Sequence, residues 1–443
     1  MQLLLSNTGR RWALHQAKSL EPGQVPHDLD PSLWILLLEL SRNKVVPFPC
    51  EAGVGVLLER GLVEVSDKSV GEAALELRAK RDPLEHVNRV AIEFTTACGF
   101  SCLHCRNAAQ APVAEESPAR LFPAVDLLAE MGIRRFDFIG GEVTQFGTGW
   151  LDVVRYIRER PGTTATTLTS GWFLDREDFM AAGKRYGKDL DLLEDLARHG
   201  VTHLAFSLDG PEEVHDRWRR APGLYQRVLA GMAKARQVGL KPQVSFIGET
   251  RPWLVEAARA LYPEAVQETP RTLLRRLALD EQNYRSNLVD VGGAAALRKG
   301  RIRLRAIKGE DLPCRGFFRP GPSLRINANG EVATCPLMGD APGFGNLREK
   351  SLAHILNHMH ETPLFRLHAE KRIAGYRRFL DPGFFSGGVD HVCAVRVAVN
   401  RIALIMLERG VDPEDAAAVR SVNEEVVLKM GERLTSSQTA GCQ

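Results

Sequence analysis

Cys98, Cys102 and Cys105 are the residues of this 443-residue chain whose type and spacing most clearly indicate chemistry. They follow an apolar stretch, Val90 to Phe94, that predicts a buried strand. Because thiolates bind soft metals, three of them on one short loop predict a metal site. The spacing can hold three corners of a [4Fe–4S] cluster and leave the fourth iron open for chemistry. The alternatives are a zinc site that includes His104, or structural thiols.

The setting of these cysteines disfavours a disulfide. The sequence shows no signal peptide and no apolar run long enough to span a bilayer, so we expect a cytoplasmic protein.

The net charge of +3 gives no reason to expect nucleic acid or an anionic membrane as a partner. With 443 residues and 44% hydrophobic content, two or three packed units are expected.

Strands and helices alternate after the cysteine loop. An amphipathic helix is predicted from Ala119 to Met131, and the strand that starts at Arg135 ends in Gly140, Gly141 and Glu142. Further strands are predicted to start at Ala165, His203 and Lys241, and the first two end near Thr169, Ser170, Ser207 and Asp209. Alternating elements predict a parallel α/β sheet whose chemistry lies at the carboxyl ends of the strands.

The CxxxCxxC loop and the later Gly-Gly-Glu segment resemble the radical S-adenosylmethionine (SAM) superfamily. This resemblance implies a partial (β/α)6 TIM-like barrel with a [4Fe–4S] cluster held by Cys98, Cys102 and Cys105. It also implies that SAM chelates the open iron, and that one electron cleaves SAM to methionine and a 5′-deoxyadenosyl radical. That radical would take a hydrogen atom from the substrate, and no side chain is predicted to act as a further catalytic residue.

The resemblance also implies which residues bind SAM. The Gly-Gly-Glu segment would hold the amino group of SAM. Thr169 and Ser170 would contact its ribose or carboxylate, and Ser207 would lie near the same ligand. Arg219 would be a candidate for binding the carboxylate. His104, where an aromatic residue is usual, could stack beside the adenine. The full predicted set is His104, Gly140, Gly141, Glu142, Thr169, Ser170, Ser207, Asp209 and Arg219. For the hydroxyls, the alternative is that they cap the next helix.

A second group of cysteines lies beyond the predicted barrel. Cys314 and Cys335 flank a predicted hairpin with Asn329-Gly330 at its turn. This arrangement resembles the start of a SPASM or twitch extension and implies one auxiliary [4Fe–4S] cluster, held by Cys314, Cys335 and Cys393. The alternatives for the fourth iron of this cluster are ligation by Asp390, by His391 or by Cys442, or an open coordination position. The alternative is that these cysteines are ordinary buried thiols.

Four units are predicted: residues 1–82, 83–300, 301–395 and 396–443. The first contains a buried helix from Leu33 to Leu40 and then a helix, a glycine stop and a strand, which is a small winged-helix-like arrangement. Its position resembles that of the peptide-recognition element of enzymes that modify precursor peptides, although a structural cap fits equally well. The last unit is predicted to hold two helices, Val395 to Leu407 and Pro413 to Leu434, and a loose tail.

The leading functional hypothesis is therefore a radical SAM enzyme that modifies a precursor peptide by crosslinking, epimerisation or oxidation. The same chemistry on a small molecule, such as an aminoglycoside-like alcohol or a tetrapyrrole, is the alternative, and a non-catalytic iron–sulfur or zinc protein is a third. The resemblance implies a flavodoxin-type or ferredoxin-type electron donor as a partner.

Overall fold

A computed structural model of the chain describes residues 2–20, 24–41, 46–47, 53–67, 87, 89–105, 117–245, 252–262, 323–333, 344–359, 401–412 and 414–426. The predictions for the auxiliary cluster concern Cys314, Cys335, Asp390, His391, Cys393 and Cys442, all of which lie outside the described residues. The start of the predicted helix at Val395 and the tail also lie outside them.

The elements at the amino-terminal end are β1 (Gln2–Leu5), α1 (Asn7–Ser19), α2 (Pro31–Ser41), β2 (Val46–Pro47), α3 (Val54–Glu59) and β3 (Val63–Ser66). The middle contains β4 (Arg89–Thr95), α4 (Pro118–Glu130), β5 (Arg135–Gly140), α5 (Val143–Phe146), α6 (Trp150–Arg158), β6 (Thr164–Thr169), β7 (Glu177–Ala181), β8 (Lys184–Lys188), α7 (Asp189–Arg198), β9 (His203–Ser207), α8 (Glu212–Arg219), α9 (Leu224–Gln237), β10 (Lys241–Ser245) and α10 (Pro252–Leu261). Then come β11 (Ser323–Ile326), β12 (Glu331–Ala333), β13 (Gly345–Asn346) and α11 (Leu352–His358), and residues 401–408 and 416–426 are also helical.

The centre of the fold is one eight-stranded sheet with the order β10-β9-β6-β5-β4-β11-β12-β13. The six strands from β10 to β11 pair in parallel, so this is an α/β fold with a parallel sheet. Strand β4 is buried along nearly its whole length, as its run of apolar residues predicts for a strand covered on both faces. Helix α6 covers the sheet with Trp150, Val153, Val154 and Ile157, which share one face.

The strands predicted from the sequence at Arg135, Ala165, His203 and Lys241 are all present. The predicted helix from Ala119 to Met131 is confirmed as α4, displaced by one residue at each end. Because the parallel strands share one direction, their carboxyl ends bring the cysteine loop, the Gly-Gly-Glu segment and the polar ends of β6 and β9 to the same edge of the sheet.

The predicted hairpin around Asn329-Gly330 is also confirmed, since β11 and β12 pair antiparallel. Its turn is longer than two residues: the Asn327 amide donates to Glu331 O (2.8 Å), and only Gly330 has a positive φ, of 84°. The sequence did not predict that β11 would pair in parallel with β4. A buried ion pair between Arg325 and Glu93 (2.6 Å) joins these two strands.

A second hairpin, β7–β8, was missed by the sequence analysis. Its two-residue turn, Ala182-Gly183, has positive φ at both positions, which is the geometry of a tight hairpin turn. Phe179 and Tyr186 lie opposite each other across it and stack. The signal available in the sequence was weak: Ala-Gly between two short stretches that each contain one aromatic residue.

The amino-terminal unit has a small antiparallel sheet, β2-β1-β3, and packs firmly on the rest of the chain. Asn357 of α11 accepts from the Thr8 amide (3.1 Å) and donates to Gly61 O (2.8 Å). Glu130 at the end of α4 accepts from Trp12 Nε1 (2.7 Å) and Arg60 Nη2 (2.9 Å). The unit is thereby fastened to two separate helices. No helix among the described residues is long and apolar enough to cross a membrane.

Candidate functional site

The cysteine loop directly follows β4 and is held by backbone and side-chain acceptors of neighbouring elements. The Leu103 amide donates to Trp218 O (2.8 Å), and the Gly99 amide donates to Gln145 Oε1 (3.2 Å). Cys98, Cys102 and Cys105 are free thiols, so three sulfur donors project from one ordered loop. In the part of the chain that the structure describes, no three Cys, His, Asp or Glu side chains are arranged to hold a single metal ion.

Burial makes two of these thiols weak acids. The Cys98 residue reaches the surface, but burial of its sulfur among protein atoms raises its pKa to about 12. Burial also raises the pKa of Cys102, although the charge of Arg219 opposes that effect. Since metal coordination deprotonates a thiol outright, the donor set fits a group whose iron atoms displace these protons.

The Gly-Gly segment at the end of β5 packs directly on the start of the cysteine loop. The Gly141 amide donates to Thr95 O and the Glu142 amide donates to Ala97 O, both at 2.8 Å. A Cβ atom on Gly140 would lie 2.3 Å from Thr95 O, and one on Gly141 would lie 2.0 Å from Ala97 O. Both glycines are therefore needed for the close approach to the loop, a reason that the sequence analysis did not give.

Glu142 is buried and surrounded by hydrogen-bond donors. Its Oε1 accepts from Thr144 Oγ1 (2.5 Å) and Thr169 Oγ1 (2.9 Å), and its Oε2 accepts from the amide (2.7 Å) and hydroxyl (2.5 Å) of Ser170. Burial raises the pKa of Glu142, while these hydrogen bonds act in the opposite direction. The hydroxyls of Thr169 and Ser170 thus organise the Gly-Gly-Glu segment, and their predicted contact with SAM stays a prediction.

A second buried network lies at the end of β9. Arg219 donates from Nε to Asp209 Oδ2 (2.6 Å), and its Nη1 lies 3.7 Å from Cys102 Sγ. Burial opposes the charge of Asp209, but Arg219 outweighs it and holds the pKa of this carboxyl below its ordinary value. Arg219, predicted to bind the SAM carboxylate, here links an acid at a strand end to a cysteine of the loop. Its predicted role stays a prediction.

Two histidines complete this network. His104 Nε2 lies 3.5 Å from Asp209 Oδ2, and its ring packs on Trp218 with centroids 5.5 Å apart. His215 Nδ1 accepts from the Asp209 amide (3.1 Å). Burial lowers the pKa of both histidines to about 4 in spite of the neighbouring aspartate, so both rings are neutral at neutral pH. Stacking of His104 beside an adenine stays a prediction.

The structure thus brings most of the predicted residues together at one edge of the sheet. Glu142, Thr169 and Ser170 touch one another, as do Cys102, Asp209 and Arg219. Ser207 lies at the carboxyl end of β9, opposite Ser245 of β10. The sequence analysis missed Gln145, which accepts from the Gly99 amide of the loop, and Thr144 and Trp172, which extend the Glu142 network. Their only signal was their position just after a strand end.

Comparisons with known proteins agree with this arrangement. Residues 92–249 match the Radical SAM superfamily, and residues 314–375 match SPASM, an iron–sulfur cluster-binding domain. The chain is similar to the AdoMet-dependent heme synthase of Methanosarcina barkeri, with 28% identity over 160 residues, or 35% of this chain and 41% of that protein. The Fe-coproporphyrin III synthase of the same organism is 27% identical over 159 residues, or 35% of this chain and 36% of that protein.

The chain therefore matches less than half the length of these relatives. Among solved structures, Streptococcus suis SuiB bound to S-adenosylmethionine is similar with a TM-score of 0.45 and 14% identity. That similarity covers 82% of this chain and 84% of SuiB.

Proposed function

We propose that this chain, a member of the radical SAM superfamily, abstracts a hydrogen atom from a precursor peptide. The reaction would serve the maturation of a ribosomally made product or cofactor. The chain is a radical SAM enzyme, with a [4Fe–4S] cluster and SAM as its cofactors. Its SPASM match implies auxiliary iron–sulfur binding as well.

One observation carries the radical chemistry: three free cysteines project from a loop that is fastened to a Gly-Gly segment at the same sheet edge. We propose that Cys98, Cys102 and Cys105 hold the SAM-binding cluster, which when bound would supply the electron that cleaves SAM to the hydrogen-abstracting radical. The backbone of Gly140 to Glu142 would hold the amino group of SAM. Glu142 would fix that backbone through its buried hydrogen bonds rather than meet the ligand with its carboxylate.

The remaining site residues take positioning roles in this proposal. Thr169 and Ser170 donate their hydroxyl protons to Glu142, so each would meet the SAM ribose as a hydrogen-bond acceptor. Arg219 keeps Cys102 beside a positive charge, and Asp209 fixes Arg219 in that place. His104, neutral and packed on Trp218, excludes water from this side of the loop.

At the level of the fold, we propose that β4, β5, β6, β9 and β10 form the first five strands of a partial (β/α)6 barrel. The hairpin β11–β12 would begin a twitch-type domain with a cluster on Cys314, Cys335 and Cys393, because the hairpin ends two residues before Cys335. The four domain limits given above and the cytoplasmic location remain predictions.

The amino-terminal unit supports a peptide as the substrate. Its contacts reach α4 through Glu130 and α11 through Asn357, and α11 lies within the SPASM match. A leader segment bound to such a unit would be held at a fixed distance from the cysteine loop, which lowers the entropic cost of bringing the core of the peptide to the site. We propose that this winged-helix-like unit binds the leader by adding it as a strand to the edge of its sheet.

A small-molecule substrate is the second candidate, and the names of the two relatives favour it: one is a heme synthase and the other an Fe-coproporphyrin III synthase. Incubation of the reduced enzyme and SAM with peptides encoded beside the gene, each with and without its leader, separates the two. Modification that requires the leader supports the peptide. Modification of a porphyrin and of none of these peptides would overturn it.

The cofactor assignment has a direct test in anaerobic iron and sulfide analysis with Mössbauer spectra. We expect about eight irons in the reconstituted enzyme, and about four when Cys98, Cys102 and Cys105 are all alanine. A count of about four irons in the reconstituted enzyme that falls to none in the triple alanine variant would show that there is no auxiliary cluster. Absence of SAM cleavage by the fully loaded, reduced enzyme would support the non-catalytic alternative.

A further inference from the structure

Glu93 and Arg325 form a buried ion pair beside the Gly-Gly segment. Arg325 Nη2 donates to Glu93 Oε1 (2.6 Å), and the two residues are only 3% and 5% exposed, the arginine less than the glutamate. Glu93 lies two residues before the end of β4, and Arg325 lies on β11, the parallel neighbour of β4. Two opposite charges are thus enclosed in the sheet close to the edge that carries the cysteine loop.

Stability alone does not explain this pair. Moving two charges out of water costs free energy that their attraction in the interior roughly offsets, so apolar residues of similar size would stabilise the fold at least as well. The same two strands do use apolar residues on their other face, where Val90, Ile92, Leu324 and Ile326 belong to the core. A buried ion pair on the opposite face therefore points to a role in positioning.

The side chain of Glu93 fills the space that the missing Cβ of Gly140 leaves. A Cβ atom on Gly140 would lie 2.8 Å from Glu93 Cγ, so the two residues pack directly against each other. Gly140 is exposed and has a φ of 128°, whereas Glu93 is buried behind it. Glu93 therefore supports from inside the backbone that forms the proposed binding site for the SAM amino group.

Arg325 is itself oriented by the β11–β12 hairpin. Its Nε donates to Oδ1 of Asn327, and the Asn327 amide donates to Glu331 O (2.8 Å) across the turn. Because a guanidinium presents its donors in one fixed plane, the contact at Nε also determines where Nη2 meets Glu93. The hairpin lies within the SPASM match and Glu93 within the Radical SAM match, so the pair connects the two matched regions.

We propose that Arg325 and Glu93 position Gly140 for the amino group of SAM, an inference that rests on the radical SAM function proposed above. Arg325 holds the Glu93 side chain in one place, and that side chain limits the movement of the Gly140 backbone. Both are positioning residues, because they act on the ligand through Gly140. A backbone that is already ordered loses less entropy when the ligand binds. The SAM site is then complete only when the β11–β12 hairpin is in place.

The test compares full-length reconstituted variants in which one ion pair is replaced by neutral side chains of similar size. Glu93→Gln/Arg325→Gln removes the pair beside Gly140 and leaves neither of the two as an unpaired buried charge. Arg89→Gln/Asp137→Asn is the matched control, since this pair (3.7 Å) joins β4 to β5 nearer the amino ends of the strands. Urea unfolding establishes that both variants are folded.

Equilibrium dialysis then gives the Kd of SAM and of a SAM analogue that lacks the α-amino group. We expect Glu93→Gln/Arg325→Gln to bind SAM about tenfold more weakly than the wild type, which corresponds to about 1.4 kcal/mol, and to bind the analogue as the wild type does. The control variant should bind both compounds as the wild type does. Iron and sulfide content should be the same in all three proteins, because the proposed cluster ligands are unchanged.

A milder variant, Asn327→Ala, removes only the contact at Arg325 Nε. It should show the same selective loss of SAM binding, but a smaller one, and it serves as the test if the double variant does not fold.

Equal weakening of SAM and analogue binding would show general damage and overturn the proposal, as would unchanged SAM binding or an equal loss in the control. Loss of iron from Glu93→Gln/Arg325→Gln alone would mean that the pair supports the cysteine loop, and this result would also overturn it. Failure of the wild type to bind SAM would instead contradict the radical SAM function on which the proposal rests.

Discussion

Two buried carboxylates, Glu142 and Asp209, follow the ends of β5 and β9, the strands on either side of β6, and are stabilised in opposite ways. Glu142 is surrounded by neutral hydroxyl and amide donors, and its pKa is raised by burial. Asp209 contacts the guanidinium of Arg219, which outweighs burial and lowers its pKa. The comparison teaches that a buried acid holds its charge firmly only where a cation is built in beside it.

The largest effect is expected from Asp209→Asn. This change leaves the buried Arg219 without its carboxylate, so the free energy of unfolding should fall by about 3 to 5 kcal/mol. Urea unfolding of the variant measures it. Asp152→Asn, which removes the partner of Arg155 in an exposed pair, is the matched control and should cost less than about 1 kcal/mol. Equal losses in the two variants would show that Asp209 holds no special ion pair.

Glu142→Gln should have a smaller effect. A glutamine keeps the size of the side chain, but its NH2 group cannot accept from the Ser170 amide, so one buried donor is left unpaired at a cost of about 2 kcal/mol. The same unfolding measurement applies. A loss as large as that of Asp209→Asn would mean that the charge of Glu142, and not its hydrogen bonds, stabilises the fold.

The two acids should also differ in how pH changes their contributions. The pKa of Asp209 is lowered from 3.8. The free energy of unfolding that aspartate adds over asparagine is therefore complete above that pH and is lost only in stronger acid. The pKa of Glu142 is raised from 4.5. The free energy of unfolding that glutamate adds over glutamine is therefore complete below pH 4.5 and declines as the pH rises. Between pH 5 and pH 8 the unfolding difference should therefore shrink for Glu142→Gln and stay constant for Asp209→Asn. The reverse pattern would contradict both directions.

The smallest effect is expected from Trp172→Phe. Phenylalanine loses the Nε1 donor to Thr144 as well as part of a buried ring, so the cost in excess of that of Trp218→Phe, which loses the same ring volume, should be about 1 kcal/mol or less. Trp218→Phe, beside His104 in the other network, is a matched control, because no hydrogen bond from its indole is involved in the Asp209 contacts. A much larger loss for Trp172→Phe would show that the Glu142 network depends on this one donor.

Much of the site could be predicted from the sequence, because its parts are local. The cysteine spacing lies within eight consecutive positions, the strands that carry Gly140 and Ser207 have clear patterns of apolar residues, and the strand that carries Thr169 is rich in β-branched threonine. The pairing of β11 with β4 could not be predicted, since it joins residues more than 200 positions apart and no local pattern specifies which strand a hairpin will meet. The β7–β8 hairpin was missed because its strands are short and largely charged.

By itself, the sequence determined the ligand loop, the order of strands and helices and the two glycines, since thiol chemistry, side-chain periodicity and glycine's missing Cβ belong to the residues themselves. Only the tertiary structure decided what each polar residue contacts. Arg219 lies beside Cys102 because α8 brings Trp218 and Arg219 against the cysteine loop, and Thr169 meets Glu142 because β5 and β6 pair in parallel. Direction and register of neighbouring elements set these contacts, and those quantities are properties of the packed chain rather than of any one segment.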